Sequence, residues 1–191
     1  MAAKPHLKLA AFDMDGTITG ERSSWEYLHR RLGIWEGQAQ KYQELFLAGD
    51  ISYEEFCRLD AAMWRDMPLA QVYAILDEIP LDGSAPKLLD RMLESGAHLV
   101  LLSTGLKLLA DRLTGSLGFK TRLANELVHR EGKLTGDIIV HVSTHPPGNT
   151  KGHHLRECMR LAGASPRETV AVGDSAGDLE MFQEAGLAIA V

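Results

Sequence analysis

Cysteine is scarce in this chain of 191 residues, where only Cys57 and Cys158 occur, in a spacing typical of neither a metal site nor a redox pair. So few cysteines suit the reducing interior of a cell, and the sequence predicts a cytoplasmic protein. The opening residues "MAAKPHLKLAAF" do not form a secretory signal, because their apolar run is short and carries Lys8. A membrane-spanning run of about 18 apolar residues is also missing, so we expect no membrane partner.

An excess of basic residues is missing as well, since 20 lysines and arginines face 26 aspartates and glutamates, for a net charge of −6. A surface of this sign does not hold nucleic acid or an anionic membrane by general electrostatic attraction. Any anionic substrate must therefore be bound by a local site. The hydrophobic fraction of 45% excludes disorder, and the length suits one domain with a modest insertion.

Short apolar segments without polar alternation predict strands that are buried on both faces of a parallel sheet. They cover residues 7–12, 98–103, 122–127, 169–173 and 187–191. The helical patterns between them end at glycines suited to the left-handed C′ position, namely Gly96, Gly118 and Gly163. This alternation predicts a doubly wound α/β fold with a parallel sheet. The turn residues Glu131 and Gly132 between apolar flanks add a β-hairpin.

The interval between the first strand and about residue 80 breaks this alternation, because it contains no strand-like run. Its apolar spacing predicts four helices, near residues 23–32, 36–48, 53–66 and 69–79. Ser52 and Glu55 predict a capping box at the start of the third helix. We therefore expect an α/β core domain of residues 1–20 and 81–191, with a helical-bundle cap of residues 21–80 inserted after the first strand.

Several polar side chains are placed at the edge of the predicted sheet where a doubly wound fold binds its ligands. These are Asp13, Asp15, Ser103, Thr104, Lys151, Asp174 and Asp178. Four carboxylates at one edge repel each other strongly unless a cation lies among them. Oxygen ligands with room for water suit Mg²⁺, so the sequence predicts a magnesium site.

The same edge offers what a phosphate group needs. A hydroxyl and backbone N–H groups at a helix start, together with a lysine ammonium, bind phosphate oxygens. A carboxylate beside a bound phosphate can attack it and form an aspartyl-phosphate. A second carboxylate two residues further can act as general acid to the leaving alcohol and then as general base for water. Asp13 and Asp15 have this spacing.

Four motifs occur in the order and spacing of a known enzyme family. The segments "DMDGT", "LLSTG", the lysine of "NTKG" and "GDSAGD" resemble the signature motifs of the haloacid dehalogenase superfamily. The helical insertion resembles the cap of its phosphoserine phosphatase-like branch. The resemblance implies a Rossmann-like core and a Mg²⁺-dependent phosphatase that acts on a small phosphorylated metabolite.

The resemblance also implies a role for each matching residue. Asp13 is expected to be the nucleophile, Asp15 the general acid and base, and Lys151 the residue that balances charge on Asp13 and the phosphoryl group. The residues expected to hold or support the metal are Asp13, Asp15 with its backbone carbonyl, Asp174 and Asp178. The residues expected to bind or shape the phosphate site are Gly16, Thr17, Ser103, Thr104 and Gly105.

The cap departs from the pattern of the family's phosphoserine-specific members. Those use an acidic residue for the substrate amine and an arginine for its carboxylate. The matching positions here are Arg22, beside Glu21, and Asp60, near Arg58, so the charges are exchanged. A slip of the alignment to Glu21 and Arg58 restores the pattern, but Arg58 and Asp60 lie about 200° apart around a helix. We therefore predict that L-phosphoserine is turned over poorly.

Asp60 has the helical spacing of the apolar residues Phe56 and Met63, so its carboxylate is expected on the pocket side. An inward carboxylate needs a partner, because its desolvation is costly. Two partners are open at this point: Arg22 across the cap entrance, or a cationic or hydroxyl-bearing part of the substrate. Arg22 and Asp60 are therefore candidate substrate residues.

Other interpretations also stay open. A phosphomutase or other phosphotransferase is the nearest alternative on this fold, and a phospho-acceptor signalling domain is another, although it would need neither Asp15 nor the cap. A cluster of histidines offers ligands for a transition metal, but no cysteine accompanies it. Its members are His141, His145, His153 and His154. The strand at residues 187–191 leaves room for a homodimer, if it lies at a bare sheet edge.

Overall fold

The structure, a computed structural model, describes residues 6–115, 117–146 and 148–191. In this part of the chain one sheet contains six strands. Their bounds are β1 Leu9–Phe12, β2 His98–Leu106, β3 Phe119–Arg130, β4 Lys133–Ile139, β5 Thr169–Gly173 and β6 Leu187–Ala190. The strands lie in the order β4-β3-β2-β1-β5-β6. All neighbours are parallel except β3 and β4, which are antiparallel, so the sheet has the predicted parallel core.

The described residues also form eight α-helices. Their bounds are α1 Ser24–Arg31, α2 Gln40–Ala48, α3 Tyr53–Ala62, α4 Leu69–Leu76, α5 Ala85–Glu94, α6 Lys107–Thr114, α7 Lys151–Ala162 and α8 Leu179–Glu184. Helices α1 to α4 occupy the chain between β1 and α5, where the sequence predicts four helices. Helix α8 is not predicted by the apolar spacing, because its single turn and a half is too short to show a period.

The central strand β1 is covered on both faces of the sheet. Ala10 and Phe12 belong to one apolar core, which includes side chains of α5 and α6. Leu9 and Ala11 belong to a second core, which includes side chains of α7 and α8. Because side chains alternate across a strand, a continuous apolar run needs cover on both sides. This arrangement confirms the doubly wound α/β fold.

The helices between β1 and α5 share the first of these cores. Trp25, Leu28 and Trp64 are buried in the same apolar cluster as Phe12. A core that runs without a break from the sheet into these helices holds them against the sheet, because any separation would expose large aromatic surfaces to water.

The start of α2 and the cap of α3 differ from the predictions. Residues Trp35–Ala39 form an irregular turn instead of helix, since Gly37 has a φ of 106°. The Ser52 hydroxyl accepts a hydrogen bond from the Glu55 backbone N–H at 3.1 Å, as expected for an N-cap. The Glu55 carboxylate does not reach back, because it binds Arg58 at 2.6 Å instead. Only half of the predicted capping box is therefore formed.

The predicted bounds of α6 and β3 are also wrong. Helix α6 ends at Thr114 and not at Gly118, and β3 begins at Phe119, earlier than predicted. The Phe119 ring packs edge-on against Phe12, with 6.1 Å between the ring centroids. This long-range contact draws the segment into the sheet, and the apolar spacing of the chain gives no sign of it.

The predicted β-hairpin is confirmed, with its turn at Glu131 and Gly132, where φ is 52° and 75°. Strand β6 lies at the opposite edge of the sheet from this hairpin. A homodimer through that edge stays a prediction. Within the described ranges, no helix has both the length and the apolar character needed to cross a bilayer.

Candidate active site

The parallel strands bring the predicted polar residues to one edge of the sheet. Phe12 pairs with Leu101 of β2 on one side and with Val172 of β5 on the other. Asp13 follows Phe12 directly, while Ser103 and Asp174 lie two residues beyond its partners. Three neighbouring strands therefore deliver these side chains to the same place, as the sequence predicts.

Lys151 joins two carboxylates at the centre of this edge. Its side chain is buried, and its Nζ lies 2.8 Å from Oδ1 of Asp13 and 2.6 Å from Oδ1 of Asp178. Burial alone would lower the pKa of Lys151, but Asp13 and Asp178 outweigh that effect and raise it. The lysine is therefore a fixed positive charge in contact with Asp13.

Asp13 is also buried, with 4% of its surface exposed. Burial raises the pKa of its carboxyl to about 6, although the Lys151 ammonium opposes this rise and the Asp178 carboxylate adds to it. A carboxyl with this pKa is largely ionised at neutral pH. Asp13 can therefore act as a nucleophile without first losing a proton to another base.

Asp15 is held in a different way. Its Oδ2 accepts hydrogen bonds from the backbone N–H of Ser24 at 2.8 Å and from the Ser24 hydroxyl at 2.7 Å. Burial raises the pKa of Asp15 to about 7, against the effect of these hydrogen bonds. A pKa close to neutrality suits a group that must both give and take a proton. Its second oxygen, Oδ1, is buried without a hydrogen-bond partner.

Ser24 is a site residue that the sequence analysis missed. It begins α1, and Ser23 before it caps the helix by accepting from the Glu26 backbone N–H at 3.2 Å. Because Ser23 serves as the cap, the Ser24 hydroxyl is free to hold Asp15. Two consecutive serines at a predicted helix start, close after the aspartates, were the available signal.

Two glycines in the predicted phosphate site are required by close approach. Gly16 has a φ of 73°, and a β-carbon there would overlap the Asp174 carboxylate. A β-carbon at Gly105 would lie 2.6 Å from Oδ2 of Asp15 and 2.9 Å from Oγ of Ser24. Any side chain at either position would therefore push apart the carboxylates of the site.

Three acidic residues of the site lie close together, and one of them also fixes the position of another. Oxygens of Asp13, Asp174 and Asp178 lie within 4.8 Å of one another, and the Asp15 side chain is not part of this group. The Asp178 carboxylate accepts from the backbone N–H groups of Asp174 at 3.1 Å and Ser175 at 3.0 Å, besides its contact with Lys151. Burial raises the pKa of Asp174, and the nearby Asp178 raises it further. Asp178 thus fixes the loop that carries Asp174.

This donor set fits a hard divalent cation. It consists of carboxylate oxygens at one point, where their mutual repulsion is compensated within the described residues by Lys151 and in part by Arg22. Asp15 Oδ1 and Thr17 Oγ1, on the segment after β1, are also buried oxygens without hydrogen-bond partners. Oxygen donors and excess negative charge are what Mg²⁺ prefers.

Ser103 and Thr104 are held by a network that the sequence analysis did not foresee. The buried Ser103 hydroxyl accepts from the Gly105 backbone N–H at 3.0 Å. The Thr104 carbonyl oxygen accepts from Trp25 Nε1 at 3.1 Å, from the Tyr53 hydroxyl at 3.0 Å and from Asn125 Nδ2 at 3.1 Å. Helices α1 and α3 are thereby tied to the carboxyl end of β2.

Asn125 is the centre of this network. Its Oδ1 accepts from the backbone N–H groups of His141 and Val142, each at 2.9 Å. Its side chain is fully buried on β3. A lone asparagine in an apolar strand pattern was the signal for this role, because a buried amide must find several partners.

Asp60 does not pair with Arg22, which was one of the two partners that the sequence left open. Asp60 is 1% exposed, and its Oδ2 lies 3.2 Å from Nε2 of the buried His29 on α1. Burial raises the pKa of Asp60, while His29 opposes the rise. Arg22 is exposed, and its charge acts on Asp174, whose pKa it lowers. The pattern placed Asp60 on the inner face correctly, but the packing of α1 against α3 decided its partner.

The other cap expectations have mixed outcomes. Arg58 is exposed and binds Glu55, so it faces away from Asp60 as predicted. Oδ1 of Asp60 has no hydrogen-bond partner and Asp60 lines the pocket, so a substrate contact there stays a prediction. The histidine cluster that stood as an alternative is not among the candidate metal-binding groups of the described residues, where Asp13, Asp174 and Asp178 form such a group.

A pocket opens beside the carboxylates of the site. It encloses about 770 Å³ of empty space, its open mouth included. Asp13, Asp15 and Asp174 lie at one end, with Thr104 and Gly105 beside them. The remaining lining comes mainly from α1, α2, α3 and the turn between α1 and α2. The helices after β1 therefore form the wall of the site.

Comparison with known proteins agrees with this geometry. The family model described as haloacid dehalogenase-like hydrolase matches residues 10–183, and the chain belongs to this family. It is 30% identical to the phosphoserine phosphatase of Methanocaldococcus jannaschii over 183 residues, or 96% of this chain and 84% of that protein. It is also 30% identical to the phosphoserine phosphatase of Wolinella succinogenes, over 92% of this chain and 83% of that protein.

Solved structures show the same fold. A structure described as a phospho-aspartyl intermediate analogue of phosphoserine phosphatase has a TM-score of 0.83 and 29% identity, covering 96% of this chain and 86% of that one. A substrate-bound phosphoserine phosphatase complex also has a TM-score of 0.83, at 28% identity over 96% of this chain and 85% of that one. The predicted family, its phosphoserine phosphatase-like branch and the phosphatase class are confirmed.

Proposed function

We propose that this protein is a Mg²⁺-dependent phosphomonoester hydrolase that forms an aspartyl-phosphate on Asp13. The observation that carries this proposal is the pair of carboxyls on one loop with different environments. Asp13 contacts Lys151 and lies among the carboxylates of Asp174 and Asp178, whereas Asp15 lies outside that group and is held by Ser24. Such a difference in environment suits a nucleophile and a proton carrier within one site.

The reaction then follows from the placement of the side chains. An Asp13 oxygen attacks phosphorus, and the bond from phosphorus to the alcohol oxygen breaks. Asp15 in its protonated form gives its proton to that oxygen, and Ser24 keeps the carboxyl aimed at it. In the second half, Asp15 takes a proton from water, which attacks phosphorus and restores Asp13. Lys151 stays beside Asp13 throughout and balances the charge that develops there.

The metal and phosphate sites use the remaining residues. Asp13, Asp174 and the Asp15 carbonyl would hold Mg²⁺, with Asp178 as support, and the bound cation would supply charge neutralisation at the phosphate oxygens. Ser103 and Lys151 would bind phosphate oxygens. The shape of the phosphate site would come from the glycines and threonines around it: Gly16, Thr17, Thr104 and Gly105.

We further propose residues 21–80 as a cap over a core of residues 1–20 and 81–191, since helices of that interval line the pocket. The relatives named phosphoserine phosphatase support a small phosphorylated metabolite as substrate. The two cysteines, both free and buried, suit a cytoplasmic setting. Arg22 and Asp60, both in the pocket lining, remain candidate substrate residues.

The test is release of inorganic phosphate from a panel of phosphate monoesters with Mg²⁺, with and without an excess of EDTA. We expect free phosphate that depends on Mg²⁺. Transfer of the phosphoryl group to an added alcohol without free phosphate would identify a phosphotransferase instead. A phosphoenzyme that persists for hours would identify a phospho-acceptor domain, and activity undiminished by EDTA would contradict the metal site.

A further inference from the structure

The pocket wall away from the aspartates is aromatic and aliphatic. Its apolar members are Trp25, Trp35, Phe46, Leu47 and Phe56. The rings of Phe46 and Phe56 stack with 5.2 Å between centroids and an angle of 14°, and Trp25 lies 6.3 Å from Phe56. Contacts of this kind hold the rings in place before a ligand arrives, so the wall is preformed.

Each carboxylate on this wall lies beside a basic side chain, although Oδ1 of Asp60 accepts no hydrogen bond. Glu26 Oε1 lies 2.6 Å from Nε of Arg30, and Asp60 lies 3.2 Å from His29. The cation among the lining residues is Arg22, which acts on Asp174 at the phosphate end, as described above. A substrate carboxylate that reached the apolar wall would be desolvated beside the negative faces of aromatic rings, away from Arg22.

The apolar surface does not stop at the aromatic rings, because Leu47 also lines the pocket. Leu47, 72% exposed, extends the apolar surface at the outer end. A bulky apolar group attached to the phosphate oxygen would lie along this surface and displace water from it.

We propose, on the basis of the phosphatase function above, that the site takes phosphate monoesters of bulky, uncharged and largely apolar alcohols, and discriminates against L-phosphoserine. The phosphate lies at the aspartates, and the alcohol lies against the wall formed by Trp25, Phe46, Leu47 and Phe56. These side chains determine specificity and take no part in the chemistry.

The test compares kcat/KM for four alkyl esters with Mg²⁺: ethyl phosphate, 2-phenylethyl phosphate, L-phosphoserine and phosphocholine. p-Nitrophenyl phosphate, whose leaving group needs no protonation, shows whether the protein releases phosphate at all. We expect kcat/KM for 2-phenylethyl phosphate to exceed that for ethyl phosphate by about tenfold or more, because only the former has a large group to bury. L-Phosphoserine should not exceed ethyl phosphate.

A matched pair of variants tests the position of the wall. Leu47→Asp places a charge on the apolar surface, and it should lower the ratio of kcat/KM for 2-phenylethyl to ethyl phosphate by about threefold or more. Leu161→Asp makes the same change at a leucine that is 70% exposed on α7, outside this pocket, and should leave the ratio unchanged. Both leucines are exposed, so neither variant disturbs a core.

The outcomes separate the two proposals. No phosphate from any ester, p-nitrophenyl phosphate included, would overturn the phosphatase function and this inference with it. Phosphate release with L-phosphoserine as the best alkyl ester would overturn the inference and leave the phosphatase function intact. The same holds if phosphocholine is best, since the wall would then bind a cation. Equal effects of the two leucine variants would also overturn it.

Discussion

Nε2 of His29 on α1 lies 3.2 Å from Oδ2 of Asp60 on α3, and both side chains are buried. The His29 ring also packs on Trp64, with 4.6 Å between ring centroids. This pair joins two helices that line the pocket. It gives Asp60 a structural partner within the chain, where the sequence offered only Arg22 or the substrate.

Asp60→Ala should therefore destabilise the protein, because it leaves His29 buried without its partner. We expect the free energy of unfolding to fall by about 1–3 kcal/mol, the usual cost of leaving a buried polar group without a partner. Urea unfolding followed by circular dichroism measures this change. Asp50→Ala, at an exposed aspartate between α2 and α3, is the matched control and should change stability little. Equal stability of the two variants would show that the buried pair contributes nothing.

Asp13→Asn should lower kcat by about a thousandfold or more, since an amide cannot form the phosphoenzyme. Phosphate release from p-nitrophenyl phosphate measures the loss, and circular dichroism checks the fold. Asp90→Asn makes the same change on the exposed side of α5 and should keep full activity. An active Asp13→Asn enzyme would require another nucleophile.

Asp15→Asn should separate the two half-reactions. p-Nitrophenolate leaves without protonation, so Asp13 can still be phosphorylated, but the base that activates water is gone. We expect a burst of p-nitrophenolate of about one equivalent per enzyme, followed by slow turnover, and a phosphoenzyme visible by intact-protein mass spectrometry. Hydrolysis at the normal steady rate would assign the base to a different group.

Mg²⁺ should stabilise the fold, because it relieves the repulsion among Asp13, Asp174 and Asp178. At saturating Mg²⁺ we expect a rise in Tm of about 5 °C, measured by calorimetry without substrate. In Asp174→Asn the rise should be mostly lost, whereas Asp90→Asn should retain it. A rise that survives in Asp174→Asn would place the cation elsewhere.

Gly105→Ala should impair catalysis more than folding, since its β-carbon would crowd Asp15 and Ser24. We expect kcat/KM to fall by about a hundredfold, because a displacement of the proton carrier by about 1 Å has that effect. Gly83→Ala is a fitting control, as a β-carbon there meets no atom within 4 Å. Similar kinetics in both variants would mean that crowding at Gly105 has no effect on catalysis.

The sequence by itself determined the parts of this protein that depend on local pattern and on the geometry of parallel sheets. Apolar runs predicted the strands, and the carboxyl ends of parallel strands meet at one edge. The positions of Asp13, Lys151 and Asp174 relative to those strands were therefore enough to assign them to one site. The hairpin turn at Glu131 and Gly132 was also local, since a few residues with suitable φ values define it.

Only the tertiary structure decided which side chains meet between separate elements. His29 and Asp60 are 31 positions apart and Tyr53 and Asn125 are 72 apart, so their contacts depend on how helices rotate and pack, which a single-helix pattern does not contain. Periodicity shows which face of a helix is inward, but the neighbour on that face follows from the whole fold. For this reason the sequence was enough to place the polar residues at one sheet edge. The pocket wall depends on how α1 to α3 pack, which only the structure shows.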